Sequence, residues 1–143
     1  MATERKAEVV WHGSLMEGEG TILATTSGAL PPLPVSWPSR AQQPNGKTSP
    51  EELIAAAHAA CFSMALSGGL ADANFTAETL ETSSTVTFEP GVGITTAQLT
   101  VRGTVPGMTE EAFLAAAEAA KAGCPVSRAL AGVTITLDAQ FSG

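Results

Sequence analysis

The chain has 143 residues, of which 44% are hydrophobic and 15% charged, so a folded domain with a sizeable core is expected rather than a disordered chain. Its formal net charge is -7 and its seven basic residues are scattered, which argues against a nucleic-acid partner. Two cysteines are too few for a disulfide framework, which leaves redox chemistry, metal binding or packing as their use.

The first third of the sequence predicts a β-hairpin followed by a long loop. The two strands are KAEVVWHG (6–13) and TILATTSG (21–28), which lie on either side of a glycine-containing turn. Residues 29–49, ALPPLPVSWPSRAQQPNGKTS, include five prolines, a density that argues against helix and central strand. We therefore expect a loop of about twenty residues, a length that usually indicates function or disorder.

A sharply bounded helix is predicted after this loop. Ser49 is the N-cap candidate, Pro50 suits the first helical position, and Glu52 completes an S-x-x-E capping box. The helix is expected to run to about Ser67, where two consecutive glycines supply a stop. Because it is apolar almost all round, burial on most of its faces is expected.

The rest of the chain predicts two antiparallel strands, two helices and a last strand. These are ETLETSSTVTFEP (78–90), GITTAQLTVRGTVPG (93–107), TEEAFLAAAEAAKAG (109–123), CPVSRAL (124–130) and GVTITLDAQF (132–141). The whole chain, 1–143, is predicted to be one α+β domain of antiparallel hairpins packed on two helices.

A cytoplasmic protein that does not enter the membrane is also predicted. The N-terminal segment mixes charges and shows no apolar stretch of the secretory kind. The longest apolar helical stretch, Leu53–Leu66, is shorter than the roughly 18 residues that a membrane span needs.

The two cysteines differ in their predicted surroundings. Cys124 stands directly before Pro125, at the cap of a short helix, where backbone N–H groups favour an anion and lower a thiol pKa from about 8.5. A buried thiol that only ends a turn is the alternative there. Cys61 lies inside the apolar helix, where burial raises the pKa and packing is the plainer interpretation.

Cys61 needs a nearby positive charge if it is to act as a nucleophile. His58, three residues earlier on the same helical face, and Arg40, in the proline-rich loop, are the candidates. A hydrogen-bonded core histidine and a solvated loop arginine are the plainer interpretations of both. No C-x-x-C, H-x-x-x-H or H-E-x-x-H spacing occurs, so neither a metal site nor a cofactor is predicted.

Two long motifs resemble the OsmC/Ohr family of osmotically induced and organic-hydroperoxide-resistance proteins. They are TSPEELIAAAHAACFSMAL (48–66) and AKAGCPVSRAL (120–130), and the segments WHGSLMEGEGTI (11–22), SRAQQPNGKTSPEEL (39–53) and VTITLDAQF (133–141) follow in family order. The resemblance covers nearly the whole chain. No arginine lies between Arg5 and Arg40, near the first hairpin, so the position of Arg40 resembles the OsmC branch.

The resemblance implies an OsmC-like fold, an antiparallel sheet with a long buried central helix, in an intertwined homodimer with active sites at the subunit interface. It implies a thiol peroxidase acting on organic hydroperoxides and more weakly on hydrogen peroxide. Cys61 would be the peroxidatic cysteine and Cys124 the resolving one. Arg40 would hold the Cys61 thiolate, Glu51 would orient Arg40, and an external dithiol, such as a lipoylated protein, would reduce the disulfide.

Helix geometry limits how these groups can meet. Glu51 and Cys61 are ten residues apart, which is about 15 Å along one helix, so one arginine could not easily touch both. An interface or a folded-back loop is therefore expected to bring Arg40 to Cys61. The alternatives on the same fold are a non-catalytic binding module for a small acyl or lipid-like ligand, and a disulfide reductase, which the missing C-x-x-C disfavours.

Overall fold

Strands and helices follow one another in separate runs along the chain, as the α+β prediction requires. The computed structural model describes all 143 residues, with β1 at Ala7–His12, β2 at Glu19–Thr25, β3 at Leu33–Val35, α1 at Trp37–Ala41, α2 at Pro50–Asp72, β4 at Thr79–Glu89, β5 at Gly93–Thr104, α3 at Glu110–Gly123, α4 at Pro125–Ala129 and β6 at Thr134–Phe141. Two compact units are formed, Met1–Leu53 and Ile54–Gly143.

The first unit contains an antiparallel sheet in the order β1-β2-β3. The prediction of a long loop without helix is wrong, because this segment holds the short helix α1 and also the edge strand β3. Pro34 is tolerated since β3 is an edge strand, and its carbonyl faces away from β2 to accept from the Thr48 N–H at 3.1 Å. Pro38 lies in the first turn of α1, where its missing N–H is not needed, and Ser36 caps that turn with Ser39.

The second unit contains a sheet in the order β4-β5-β6. Strands β4 and β5 pair antiparallel as expected, but β6 pairs parallel with β5, so the sheet is mixed rather than purely antiparallel. The reason lies in the connection, because α3 and α4 carry the chain back across before β6 begins. Gly103 of β5 permits this packing, since a Cβ there would stand 2.3 Å from the Phe113 ring of α3.

The core of this unit joins α2, β5 and α3. Its fully or nearly fully buried members include Phe62, Leu66, Leu70, Leu99, Val101, Phe113 and Ala117. Burying a side chain of this size stabilises a fold by about 1.5–3 kcal/mol. The face of α2 that carries the first three is therefore fixed against the sheet.

Helix α2 begins as predicted and ends later than predicted. The Ser49 hydroxyl accepts from the Glu52 N–H at 3.1 Å, which is half of the predicted capping box. The other half is not formed, because the Glu52 carboxylate accepts from the Thr48 hydroxyl at 2.7 Å instead of from the Ser49 N–H. The helix continues through Gly68 and Gly69, because the burial of Leu70 offsets the roughly 1 kcal/mol that a helical glycine costs.

The actual stop of α2 is a Schellman motif at Asn74, which has a φ of 67°. The Phe75 N–H donates to the Leu70 carbonyl at 2.8 Å, and the Asn74 N–H donates to the Ala71 carbonyl at 2.9 Å. These bonds satisfy two of the carbonyls at the end of the helix. Asparagine tolerates the left-handed conformation better than most residues, so it can replace glycine here.

One face of α2 is uncovered in the single chain. Ala56, Ala60, Met64 and Gly68 follow one another along this face, and Met64 is 74% exposed. Burial on most faces is thus not observed within one chain. By length and composition alone the 23-residue helix could cross a membrane, which corrects the expectation that it is too short; core helices of soluble proteins pass the same test.

Candidate active site

Two free cysteines meet where α2 passes the junction of α3 and α4. Cys61 lies in α2 and is half-buried, and it packs against the buried cluster that contains the fully buried Cys124. Cys124 ends α3, because its backbone N–H donates to the Ala120 carbonyl at 2.9 Å. It also begins α4, because its backbone carbonyl accepts from the Arg128 N–H at 3.0 Å. Pro125 follows in the first turn of α4, as the sequence predicted.

The Cys124 sulfur has surroundings that favour an anion. Burial by itself raises the pKa of this thiol. Although the side chain makes no regular N-cap bond, weaker hydrogen-bonding contacts with Cys61, with the backbone of Val126 and with both the backbone and the hydroxyl of Ser127 outweigh burial. Together they hold the pKa of Cys124 below its ordinary value.

The Cys61 thiol has the opposite shift. Burial raises its pKa, and so does its interaction with the Cys124 side chain, while a contact with the Val126 backbone lowers it. Within one chain, therefore, Cys124 loses its proton more readily than Cys61 does. The sequence expectation that Cys61 needs an added positive charge agrees with this arrangement.

His58 lies on the buried face of α2, close to the same cysteines. The residue is fully buried, and its Nε2 is 2.8 Å from the Ser127 Oγ. Its Nδ1 is buried without a hydrogen-bond partner. Burial lowers the pKa of this imidazole below 6.5, so the ring is neutral near pH 7.

Arg40 and Glu51 form a bidentate ion pair in the first unit. The Arg40 Nε lies 2.7 Å from Glu51 Oε1, and its Nη2 lies 3.0 Å from Oε2. Glu51 is 6% exposed, whereas the side chain of Arg40 is 30% exposed. The guanidinium also lies 6.0 Å from the centre of the Trp37 ring. The charge of Arg40 is thus held in a fixed place at the start of α2.

A mostly apolar cavity of about 210 Å³ opens beside Arg40. It is lined by Trp11, Leu15, Val35, Ser36, Trp37, Arg40 and Pro50. Such a cavity suits a small apolar group that carries one polar end toward the guanidinium.

The structure thus forms two groups from the predicted residues. Cys61 meets Cys124 in the second unit, and Arg40 meets Glu51 in the first. Sequence reasoning missed Ser127, whose only signal was its place three residues after the cap residue Cys124. No group of three or more His, Cys, Asp or Glu side chains is arranged to hold a metal ion.

Comparison with known proteins places this arrangement in context. Residues 43–138 match the family model described as OsmC-like protein. The chain is 42% identical to peroxiredoxin OsmC of Escherichia coli over 99% of both chains. The organic hydroperoxide resistance protein OsmC of Legionella pneumophila is 26% identical, with a TM-score of 0.68 over 94% of this chain and 96% of that one. OhrB of Bacillus subtilis is also 26% identical, with a TM-score of 0.63 over 94% and 98%.

The fold is α+β, and it brings a buried free thiol against a half-buried one. The extent of the matches is more specific. The chain belongs to the OsmC-like family, and its enzyme class is that of the peroxidases.

Proposed function

We propose that this enzyme reduces organic hydroperoxides, and hydrogen peroxide more weakly, through a cycle of its two cysteines. The observation that supports this most directly is the pair of interacting free thiols, Cys61 and Cys124. The cavity beside Arg40, with its two tryptophans, favours a peroxide that carries an apolar group.

In the first step the Cys61 thiolate attacks one oxygen of the peroxide. A sulfur–oxygen bond forms and the O–O bond breaks, so that Cys61 is oxidised to a sulfenic acid and the peroxide is reduced to an alkoxide. The alkoxide takes a proton from solvent and leaves as the alcohol. A fixed guanidinium next to the departing oxygen stabilises the charge that develops on it, which is the role proposed for Arg40.

In the second step the Cys124 thiolate attacks the sulfur of the sulfenic acid. The disulfide forms, the sulfur–oxygen bond breaks, and hydroxide leaves and takes up a proton from solvent to become water. An external dithiol then returns both cysteines to thiols and becomes a disulfide itself. A lipoylated protein is the proposed reductant, and a reducing cytoplasm is the proposed location.

A homodimer is proposed to bring Arg40 of one copy to Cys61 of another. Arg40 is paired with Glu51, ten residues before Cys61 on α2, so a second copy would supply the charge that Cys61 lacks. Uncovered apolar side chains support this assembly. They include Met64 on α2 and Val9, Trp11, Leu15 and Met16 in the first unit.

Peroxide consumption by the purified protein tests the proposal. We expect turnover of cumene hydroperoxide with dihydrolipoamide, slower turnover of hydrogen peroxide, and none with Cys61→Ser. A protein that consumed neither peroxide but bound a fatty acid would instead be a ligand-binding module, and the proposal would be wrong.

A further inference from the structure

We propose that His58 and Ser127 form a hydrogen-bond relay that ends on the Cys124 sulfur, with Ser127 as the donor and His58 as a positioning residue. Its use in a catalytic cycle rests on the function proposed above. The relay itself is a property of the resting protein and is tested without peroxide.

The direction of the relay follows from the two nitrogens of His58. The ring is fully buried and neutral, so it carries one proton. A proton on Nδ1 would leave a buried N–H donor without a partner, which proteins rarely tolerate, whereas an unpaired lone pair there is less costly. The proton therefore belongs on Nε2, which donates to the Ser127 Oγ at 2.8 Å.

Ser127 then has one direction left for its own proton. The hydroxyl oxygen accepts from His58, so its single O–H remains to donate, and Ser127 is among the neighbours that lower the pKa of the Cys124 thiol. Cys124 is the N-cap of α4 and Ser127 is the third residue after it, so the two residues lie within one helical turn of each other. Ser127 is 5% exposed, so water does not compete well for this contact.

Cys124 is thereby the end point of donors from two helices. The neighbours that act on its sulfur are Cys61 from α2 and Val126 and Ser127 from α4. His58 reaches it from α2 through Ser127. The relay adds a donor that does not depend on Cys61, so it persists after Cys61 has been oxidised.

This persistence matters for both later steps of the cycle. A Cys124 held as thiolate attacks the Cys61 sulfenic acid without first losing a proton. When the external dithiol later attacks the Cys61 sulfur of the disulfide, Cys124 is the leaving thiolate, and a leaving thiol of lower pKa departs faster. Loss of the relay should therefore slow disulfide closure and reduction without slowing the attack on peroxide, because a less anionic Cys124 raises the Cys61 pKa less.

The test is a titration of Cys124 by the ultraviolet absorbance of its thiolate, in a Cys61→Ser background where it is the sole cysteine. Ser127→Ala should raise the titration midpoint by about one pH unit, the scale of one hydrogen bond to a charged group. His58→Leu should raise it by less. Adding His58→Leu to Ser127→Ala should cause no further rise, because His58 acts only through Ser127.

His58→Gln provides the rescue, since its amide can place a donor near the position of Nε2 and should restore most of the midpoint. Ser63→Ala is the matched control, because the Ser63 hydroxyl lies on the same helix but bonds to Ala59 and Thr82. Equal midpoints for His58→Gln and His58→Leu would overturn the relay, even if Ser127→Ala failed to fold. So would an effect of His58→Leu that persists in the Ser127→Ala background.

In the protein with both cysteines, stopped-flow measurements should show slower disulfide closure for Ser127→Ala after one equivalent of peroxide. A protein that never consumed peroxide would refute the proposed function but leave the titration result standing. Shifted midpoints with unchanged closure and reduction rates would instead refute the role of the relay in the cycle.

Discussion

Replacing Arg40 with alanine tests whether the guanidinium activates the Cys61 thiol. Within one chain the pKa of Cys61 is raised by burial and by its interaction with the Cys124 side chain, so the thiolate needs help from outside that pair. Arg40 is held by two short contacts to Glu51 and is the charge that we assign to this task. Arg40→Ala should therefore raise the Cys61 pKa and slow the first step.

The expected loss in rate is large. Removing one preorganised donor to a developing oxyanion lowers a rate by about 10²–10³-fold, and Arg40 is asked to stabilise both the thiolate and the leaving alkoxide. Arg40→Lys should rescue only part of it, because an ammonium cannot make the bidentate contact to Glu51. Stability should also fall, since Glu51 is left 6% exposed without its partner, but by less than the roughly 3–5 kcal/mol of a fully buried pair because Arg40 is 30% exposed.

Single-turnover stopped-flow kinetics with cumene hydroperoxide, combined with a thiolate titration in a Cys124→Ser background, measures both effects. Denaturant unfolding separates the loss of activation from a loss of fold. Arg102→Ala is a suitable control, because Arg102 contacts Gln140 on the sheet of the second unit at 3.1 Å. An unchanged Cys61 pKa in Arg40→Ala would refute the assignment of Arg40.

The remaining predictions concern Glu51, the core and pH. Glu51→Gln should slow peroxide reduction less than Arg40→Ala, because it misplaces the guanidinium without removing it; a larger loss would make Glu51 a general base. Leu70→Ala should lower the free energy of unfolding by about 2–5 kcal/mol in urea titrations and fray the end of α2 in hydrogen exchange. Burial holds the pKa of His58 below its ordinary 6.5, so the unfolded chain binds a proton more readily than the folded one. The free energy of unfolding should therefore fall as the pH drops below 6.5. Denaturant titrations at several pH values should show a weaker pH dependence for His58→Gln.

Local signals predicted the parts of the site that depend on a few neighbouring residues. The start of α2 at Pro50 and the cap position of Cys124 before Pro125 follow from chemistry within one helical turn. The end of α2 does not follow from local chemistry. The helix continues past its two glycines because Leu70 is buried, and that burial depends on the distant sheet.

Contacts between distant segments account for the other differences. The parallel pairing of β6 with β5 depends on where α3 and α4 carry the chain, which no strand pattern reveals. His58 and Ser127 are 69 residues apart, and neither shows in its own segment that it will meet the other. The relay on Cys124 therefore emerged only from the folded chain.

The division of labour between the two cysteines is the central claim, and intact-mass spectrometry after one equivalent of an organic hydroperoxide tests it most directly. The wild-type protein should lose two hydrogens as the disulfide closes. Cys124→Ser should gain one oxygen, or a thiol adduct when thiol is present, and Cys61→Ser should remain unchanged. A Cys61→Ser protein that gained the oxygen, with an inert Cys124→Ser, would make the anion-stabilised Cys124 the peroxidatic residue and would contradict the account.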